Sequence, residues 1–328
     1  MHNNIGGKAM GSGSWSSDTY DRVTRHKIDS GRTFSYTADA FRSGKVEAHE
    51  SLDVKGPKIR ESRDSDEHPE STPIIIGFDV TGSMGGNPGI IQKSLKELFG
   101  MLVRRDIVPD PQIAISAYGD MYCDKVPIQF GQFESDNKID DELDNILIEK
   151  GGGGNMGETS AIIPYYAAKY VKTDAWDKRH KKGYMFLIGD ECALSMESNM
   201  FKKFLGETDA SDISAEDAYA MAQEKWDIYF LLINNSSARW QESEEKYSNI
   251  LGKDHVMILQ DARGVSATIA SIIALKEETV SKESLGTELA AAGFDSTAIN
   301  AAKNAVSVVG STGGTNVNIN TEYADLNL

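Results

Sequence analysis

Only two cysteines, Cys123 and Cys192, occur in 328 residues, which excludes a fold stapled by disulfides. They read as ordinary reduced thiols, since two without histidines are too few for a structural zinc site. No apolar run is long enough to cross a bilayer. The opening Met1-His2-Asn3-Asn4-Ile5-Gly6-Gly7 has no charged-then-apolar leader pattern. A soluble, cytoplasmic protein with no membrane partner is therefore expected. Positive charge is scarce as well: 34 Lys and Arg face 50 Asp and Glu, a formal charge of −16. A nucleic-acid binder needs a basic face, so nucleic acid is not expected as a partner. The acidity reads as solubility. The local basic cluster Lys178-Arg179-His180-Lys181-Lys182 reads as a solvated turn before a strand.

Apolar residues make up 40% of the chain and are placed unevenly. Residues 1–72 are rich in Ser, Asp, Gly, Arg and Glu. They show no sustained period of two or of 3.6 and read as an irregular arm. Its aromatics (Trp15, Tyr20, Phe34, Tyr36, Phe41) suit an arm that packs partly on its own domain or on a partner. Short continuous apolar runs begin at Pro73. Those at 73–80, 112–118, 183–189, 226–233 and 255–259 predict strands, the first buried on both faces. Helical patterns alternate with them at 90–105, 138–150, 160–170, 196–205, 215–225, 239–251 and 265–277. Val126–Phe130 is predicted as a further strand, placed at an edge by Pro127. The alternation implies an α/β fold, doubly wound, with a mostly parallel central sheet and helices on both faces. One domain is expected over 73–278, followed by a helical extension and tail over 279–328.

In an open α/β sheet, ligands bind where loops leave the carboxyl ends of strands. Three such loops carry oxygen donors. Asp79-Val80-Thr81-Gly82-Ser83-Met84 places one carboxylate and two alternate hydroxyls at a strand end, in a turn that Gly82, Gly85 and Gly86 let bend. Such a hard-oxygen set suits Mg²⁺ or Mn²⁺. Glu158-Thr159-Ser160 follows the glycine-rich stretch 151–157 and precedes a helix, where a hydroxyl also suits a cap. Asp190-Glu191 follows the strand at 183–189. Asp120 and Asp124, after the strand at 112–118, form either an acidic rim near these loops or a solvated turn.

The run Asp79-x-Thr81-x-Ser83 resembles the first segment of the metal-ion-dependent adhesion site of von Willebrand factor A (vWA) domains, usually Asp-x-Ser-x-Ser. Thr81 keeps the hydroxyl. The resemblance covers about residues 73 to 277, with three segments in the family's order. It implies one divalent cation, Mg²⁺ (or Mn²⁺ or Ca²⁺), held by Asp79, Thr81, Ser83, Thr159 and Asp190. In the family the aspartate of the first segment often acts through water. Thr159 matches the family's threonine best, with Glu158 and Ser160 as competitors because the glycine run leaves the register open. The implied function is a non-enzymatic, metal-dependent protein-interaction module that accepts an Asp or Glu from a partner protein. Bacterial and phage relatives often work beside AAA+ ATPases of the MoxR type, which makes such an ATPase an expected partner class. Two other readings are a structural or assembly subunit with a stabilising metal, and a Mg²⁺-dependent phosphoryl-transfer enzyme. Against the enzyme stand the lack of a Walker-type Gly-Lys-Ser/Thr and of any His or Lys in the three loops to act as base.

Overall fold

The computed structural model describes residue 16 and residues 34–55, 58–104, 107–149, 151, 154, 157–234 and 239–309. Trp15 and Tyr20 of the arm, and the tail from 310 to 328, lie outside the described residues. Along the chain the elements are α1 (Ser35–Ser43), β1 (Arg60–Ser62), β2 (Thr72–Asp79), α2 (Asn87–Arg104), β3 (Pro111–Tyr118), β4 (Ile128–Phe130) and α3 (Lys138–Asn145). Then come α4 (Ile162–Tyr170), β5 (Val171–Thr173), α5 (Asp174–Arg179), β6 (Gly183–Gly189), α6 (Ser198–Leu205) and α7 (Ala215–Gln223). The chain closes with β7 (Trp226–Ile233), α8 (Trp240–Leu251), β8 (Val256–Leu259), α9 (Val265–Lys276), α10 (Leu285–Ala291) and α11 (Ser296–Ala305).

Six strands form one sheet in the order β4-β3-β2-β6-β7-β8. All its pairs are parallel except β3 with β4. This is the expected doubly wound α/β architecture. Every residue of β2 is buried, which explains its unbroken apolar run. On one face Ile74, Ile76 and Phe78 join Ile91, Leu95 and Leu98 of α2 and Val265 and Ile269 of α9. On the other, Ile75 joins Ile162, Ile163 and Tyr166 of α4 and Tyr219 of α7. Among the described residues no helix is long and apolar enough to cross a membrane.

The described part of the arm is more ordered than its composition suggests. Phe34 and Leu52 are buried in the same core as β2, and α1 lies between them in sequence. β1 pairs in parallel with β5 as a separate two-stranded sheet. Ion pairs lock this junction. Arg179 holds Asp64 through two bonds of 2.7 and 3.1 Å, and Arg63 reaches Asp174 at 2.7 Å. Burial would raise the Asp64 pKa, but bonds from Arg179, Ser71 and Lys178 hold it well below the usual carboxylate range. The basic cluster at 178–182 is thus partly a clasp for the arm, and α5 replaces the expected turn over its first two residues. The outward backbone of Phe130 in β4 is covered too: its N–H donates to Leu52 O at 2.9 Å, and Arg60 Nε donates to its O at 3.0 Å.

Two other elements depart from the sequence pattern. α3 stops at Asn145 instead of 150. The side chain of Gln129 holds the backbone of Leu147 through both its N–H and C=O, so Ile146 and Leu147 are buried from an extended segment. After α9 the chain remains in the core: Leu285, Leu289, Ala298, Ala302 and Val306 all pack in the cluster that contains that helix.

Leu52 is fully buried, so Leu52→Ala is expected to cost about 3 kcal/mol, read as a lower urea midpoint. An unchanged midpoint would show that the arm adds nothing to the core. A second expectation concerns Asp227 and His255, which meet at 3.0 Å. Burial alone would raise the Asp227 pKa and lower that of His255. The bond between them, with Lys276 and Asp254 nearby, instead takes Asp227 down from 3.8 to about 2 and raises His255 above 6.5. The Asp227 contribution to stability is therefore complete above pH 3.8 and lost as pH falls toward 2. The His255 contribution is complete below pH 6.5 and lost as pH rises through its higher folded value. Urea midpoints measured from pH 5 to 9 should fall on the alkaline side in the wild type and fall less in Asp227→Asn.

Candidate functional site

β2 and β6 lie side by side, with Phe78 opposite Ile188. Their onward connections run to opposite sides of the sheet, β2 to β3 and β6 to β7. This is a topological switch point, where a cleft opens beyond the strand ends. Asp79 ends β2 and Asp190 follows β6, so the sheet itself brings the two carboxylates together. Tyr118 fills the floor beneath them and donates its hydroxyl to Ile188 O at 2.9 Å. Gly189 admits that ring, because a Cβ there would lie 2.3 Å from the Tyr118 hydroxyl.

The first loop folds over this floor. Thr81 N–H donates to Asp79 Oδ1 at 2.7 Å. Thr81 Oγ1 lies 3.0 Å from Ser83 Oγ, and Ser83 Oγ donates to Asp190 Oδ1 at 3.0 Å. Gly82 N–H donates to Gly151 O at 2.7 Å, pinning the first loop to the glycine-rich second. Asp79, Thr81 and Asp190 are buried, whereas Ser83 is exposed and marks the mouth. The structure therefore gathers four of the five residues singled out in the sequence: Asp79, Thr81, Ser83 and Asp190.

Thr159 faces elsewhere. Its hydroxyl donates to Gly119 O and accepts from Met121 N–H, both at 2.9 Å. Ser160 Oγ sits between the Tyr219 and Tyr247 hydroxyls at 3.1 and 2.9 Å. The side chain that reaches the site from this loop is Glu158, whose carboxylate lies near the Thr81 side chain and feels the Asp79 charge. The cause is local pairing. Glu158 forms a parallel bridge with Ala193, giving its N–H to Cys192 O and accepting from Leu194 N–H, both at 2.9 Å. In such extended backbone neighbouring side chains point to opposite sides.

The site is rich in negative charge. Burial, then the Asp190 charge, pushes the Asp79 pKa well above the usual carboxylate range. Burial, then Asp79 and Asp120, pushes Glu158 up to about 10. Burial and Asp190 raise Glu191, opposed by Arg239 at the start of α8. Asp79 Oδ2 and Glu158 Oε2 are buried with no hydrogen-bond partner. An unpaired carboxylate in such a place costs several kcal/mol, and a hard divalent cation would offset that cost. Among the described residues no three His, Cys, Asp or Glu side chains converge closely enough to hold a metal by themselves. A cation here would draw on the Thr81 and Ser83 hydroxyls as well.

Asp120 and Asp124 form a buried turn rather than a solvated one. Asp124 Oδ2 accepts from Asp120 N–H at 2.8 Å, and Asp120 Oδ1 accepts from Tyr122 N–H at 2.9 Å. Cys123 is exposed at this turn and donates to Asp120 Oδ2 at 3.2 Å. Partial desolvation, then that bond and the nearby carboxylates, push its thiol up to about 12, which makes it a poor nucleophile.

No family model and no curated protein matches the chain. Among solved structures, the pilus adhesin SpaC from Lactobacillus rhamnosus GG, in its open conformation, is similar over 68% of this chain and 31% of its own. The identity is 10% and the TM-score 0.43. Proximal thread matrix protein 1 from the mussel byssus is similar over 62% of this chain and 47% of its own, at 12% identity and a TM-score of 0.44. The chain thus spans between about a third and a half of the length of these proteins. The fold itself is α/β: a six-stranded, mostly parallel mixed sheet between helices.

Because the buried Asp79 carboxylate has no counter-charge among the described residues, Asp79→Asn in EDTA should melt at or above the wild-type temperature. A drop of several degrees, measured by circular dichroism, would show that the charge is compensated within the chain.

Proposed function

We propose that this protein is a divalent-cation-dependent protein-interaction module whose recognition surface is the mouth at Ser83. The observation that carries this reading is the pair of buried, unpartnered carboxylate oxygens, Asp79 Oδ2 and Glu158 Oε2, on loops that also carry the buried Thr81 hydroxyl and the exposed Ser83. Mg²⁺ suits these hard oxygens best, with Mn²⁺ and Ca²⁺ as alternatives. Thr81 and Ser83 would hold it through hydroxyls and Asp190 through its carboxylate, with Asp79 acting directly or through water. Thr159, the fifth ligand that the family resemblance implies, is committed to the backbone of the Asp120 turn. When bound, the cation supplies an electrophilic position at the surface for an Asp or Glu of a partner protein.

The remaining groups shape that contact. Ser83 is the outermost donor. Tyr122 and Ile90, 46% and 37% exposed, lie on the turn after β3 and near the start of α2, offering apolar contact beside a charged centre. Tyr122 is held in place by its hydroxyl, which donates to Ser195 O at 3.1 Å. The three loops bring carboxylates and hydroxyls together but supply no His or Lys as a proton-transfer group, which supports a binding role over catalysis. The partner class that the family resemblance suggests, an AAA+ ATPase of the MoxR type, is part of this proposal.

Calorimetry tests it. Asp79→Ala and Ser83→Ala are expected to lose Mg²⁺ affinity at least tenfold while keeping the wild-type circular dichroism spectrum. Unchanged affinity in both would show that the site is elsewhere. Partners recovered from native cells should dissociate in excess EDTA, and a complex that survives chelation intact would refute recognition through the cation.

A further inference from the structure

We propose that Glu158, rather than Thr159, is the second loop's ligand for the cation, so that the site carries an internal carboxylate competing with the one a partner would bring. The inference rests on the cation reading above and concerns what this chain adds to it.

Three observations point the same way. Thr159 has both hydrogen-bonding roles of its hydroxyl filled, donating to Gly119 O and accepting from Met121 N–H. Turning it toward Asp79 would strip two backbone groups of a buried turn of their partner. Ser160 is similarly held between two tyrosine hydroxyls. Glu158 is only 6% exposed, lies near the Thr81 side chain, and leaves Oε2 with no partner among the described residues. A carboxylate more than nine-tenths buried, with a free oxygen near the first loop, is oriented for a ligand that the described residues do not provide.

The backbone fixes this choice. The bridge between Glu158 and Ala193 presses the second loop against the third. Gly157 permits the approach, since a Cβ there would lie 2.9 Å from Cys192 O. Exchanging Glu158 for Thr159 at the site would require the backbone to turn, which would break that bridge and the two bonds of the Thr159 hydroxyl.

The replacement changes the chemistry. A threonine ligand adds no charge, whereas a glutamate adds one full negative charge beside Asp79 and Asp190. The cation is held more tightly, and its remaining positions attract an incoming carboxylate less. Opening of Glu158 then becomes the step that exposes full affinity for an acidic partner.

Mn²⁺ titrations of the full chain, followed by water-proton relaxation, test this. Glu158→Gln should weaken Mn²⁺ affinity about tenfold or more. At saturating Mn²⁺ it should also raise the relaxation enhancement by roughly one further exchanging water. Added acetate should lower that enhancement in Glu158→Gln at concentrations that leave the wild type unchanged. Thr159→Val should melt lower but bind Mn²⁺ like the wild type. If Glu158→Gln matches the wild type in affinity, relaxation and acetate response, the proposal is overturned, whether or not Thr159→Val folds. If folded Thr159→Val loses affinity while Glu158→Gln keeps it, Thr159 is the ligand and the proposal is equally overturned. A wild-type protein that binds no Mn²⁺ would instead sink the cation reading itself.

Discussion

The Asp79 carboxylate, buried at the end of a strand that is itself buried on both faces, is the constraint on which the site depends. A strand covered on both sides must be apolar until the sheet ends, and β2 obeys this from Ile74 to Phe78. The first charged residue therefore appears where the chain leaves the sheet, at the point where connections diverge. Neighbouring β6 ends at the same level, so a second carboxylate arrives beside the first. The floor below is a tyrosine ring and hydrocarbon, which strengthens every charge interaction above it. Two acidic groups in such a place are unfavourable unless a positive charge joins them. The hydroxyls of Thr81 and Ser83 line the approach from solvent.

Around this centre the loops are tied to one another. Gly82 is bonded to Gly151, Glu158 to the Cys192–Leu194 segment, and Thr159 to the turn that carries Asp120. Movement of one loop therefore disturbs the others. Beneath them, Ser160, Tyr219 and Tyr247 form a hydrogen-bonded cluster linking the start of α4 to α7 and α8. The second loop is thereby anchored on both sides: Thr159 toward β3 and Ser160 toward the helical layer.

Strand runs and the order of the three loops could be read directly from the sequence, because burial on both faces writes itself as unbroken hydrophobicity. Asp79, Thr81, Ser83 and Asp190 were legible for the same reason: each follows a run that must end at the sheet's edge. The second loop was not. Glu158, Thr159 and Ser160 all offer oxygen, and their facing is decided by a backbone bridge to residue 193, thirty-five residues away. The arm was legible only in part: its aromatics pointed to packing on the domain, as Phe34 does, but not to its order or to Leu52. Phe34 and Leu52 sit in polar surroundings in sequence and reach the core only through tertiary contact. The end of α3 was misread because Ile146 and Leu147 continue a helical spacing while Gln129, a residue from another element, holds the backbone extended.

The covered edge of β4 governs how the molecule behaves towards copies of itself. Leu52 and Arg60 occupy the backbone groups of Phe130 that would otherwise face outwards. An open edge is a template onto which another chain can add a strand. A shortened chain beginning at Pro73 would keep all six strands of the main sheet but bare that template and the hollow left by Phe34 and Leu52. Such a fragment would tend to polymerise, and the arm is then the protein's own guard against aggregation.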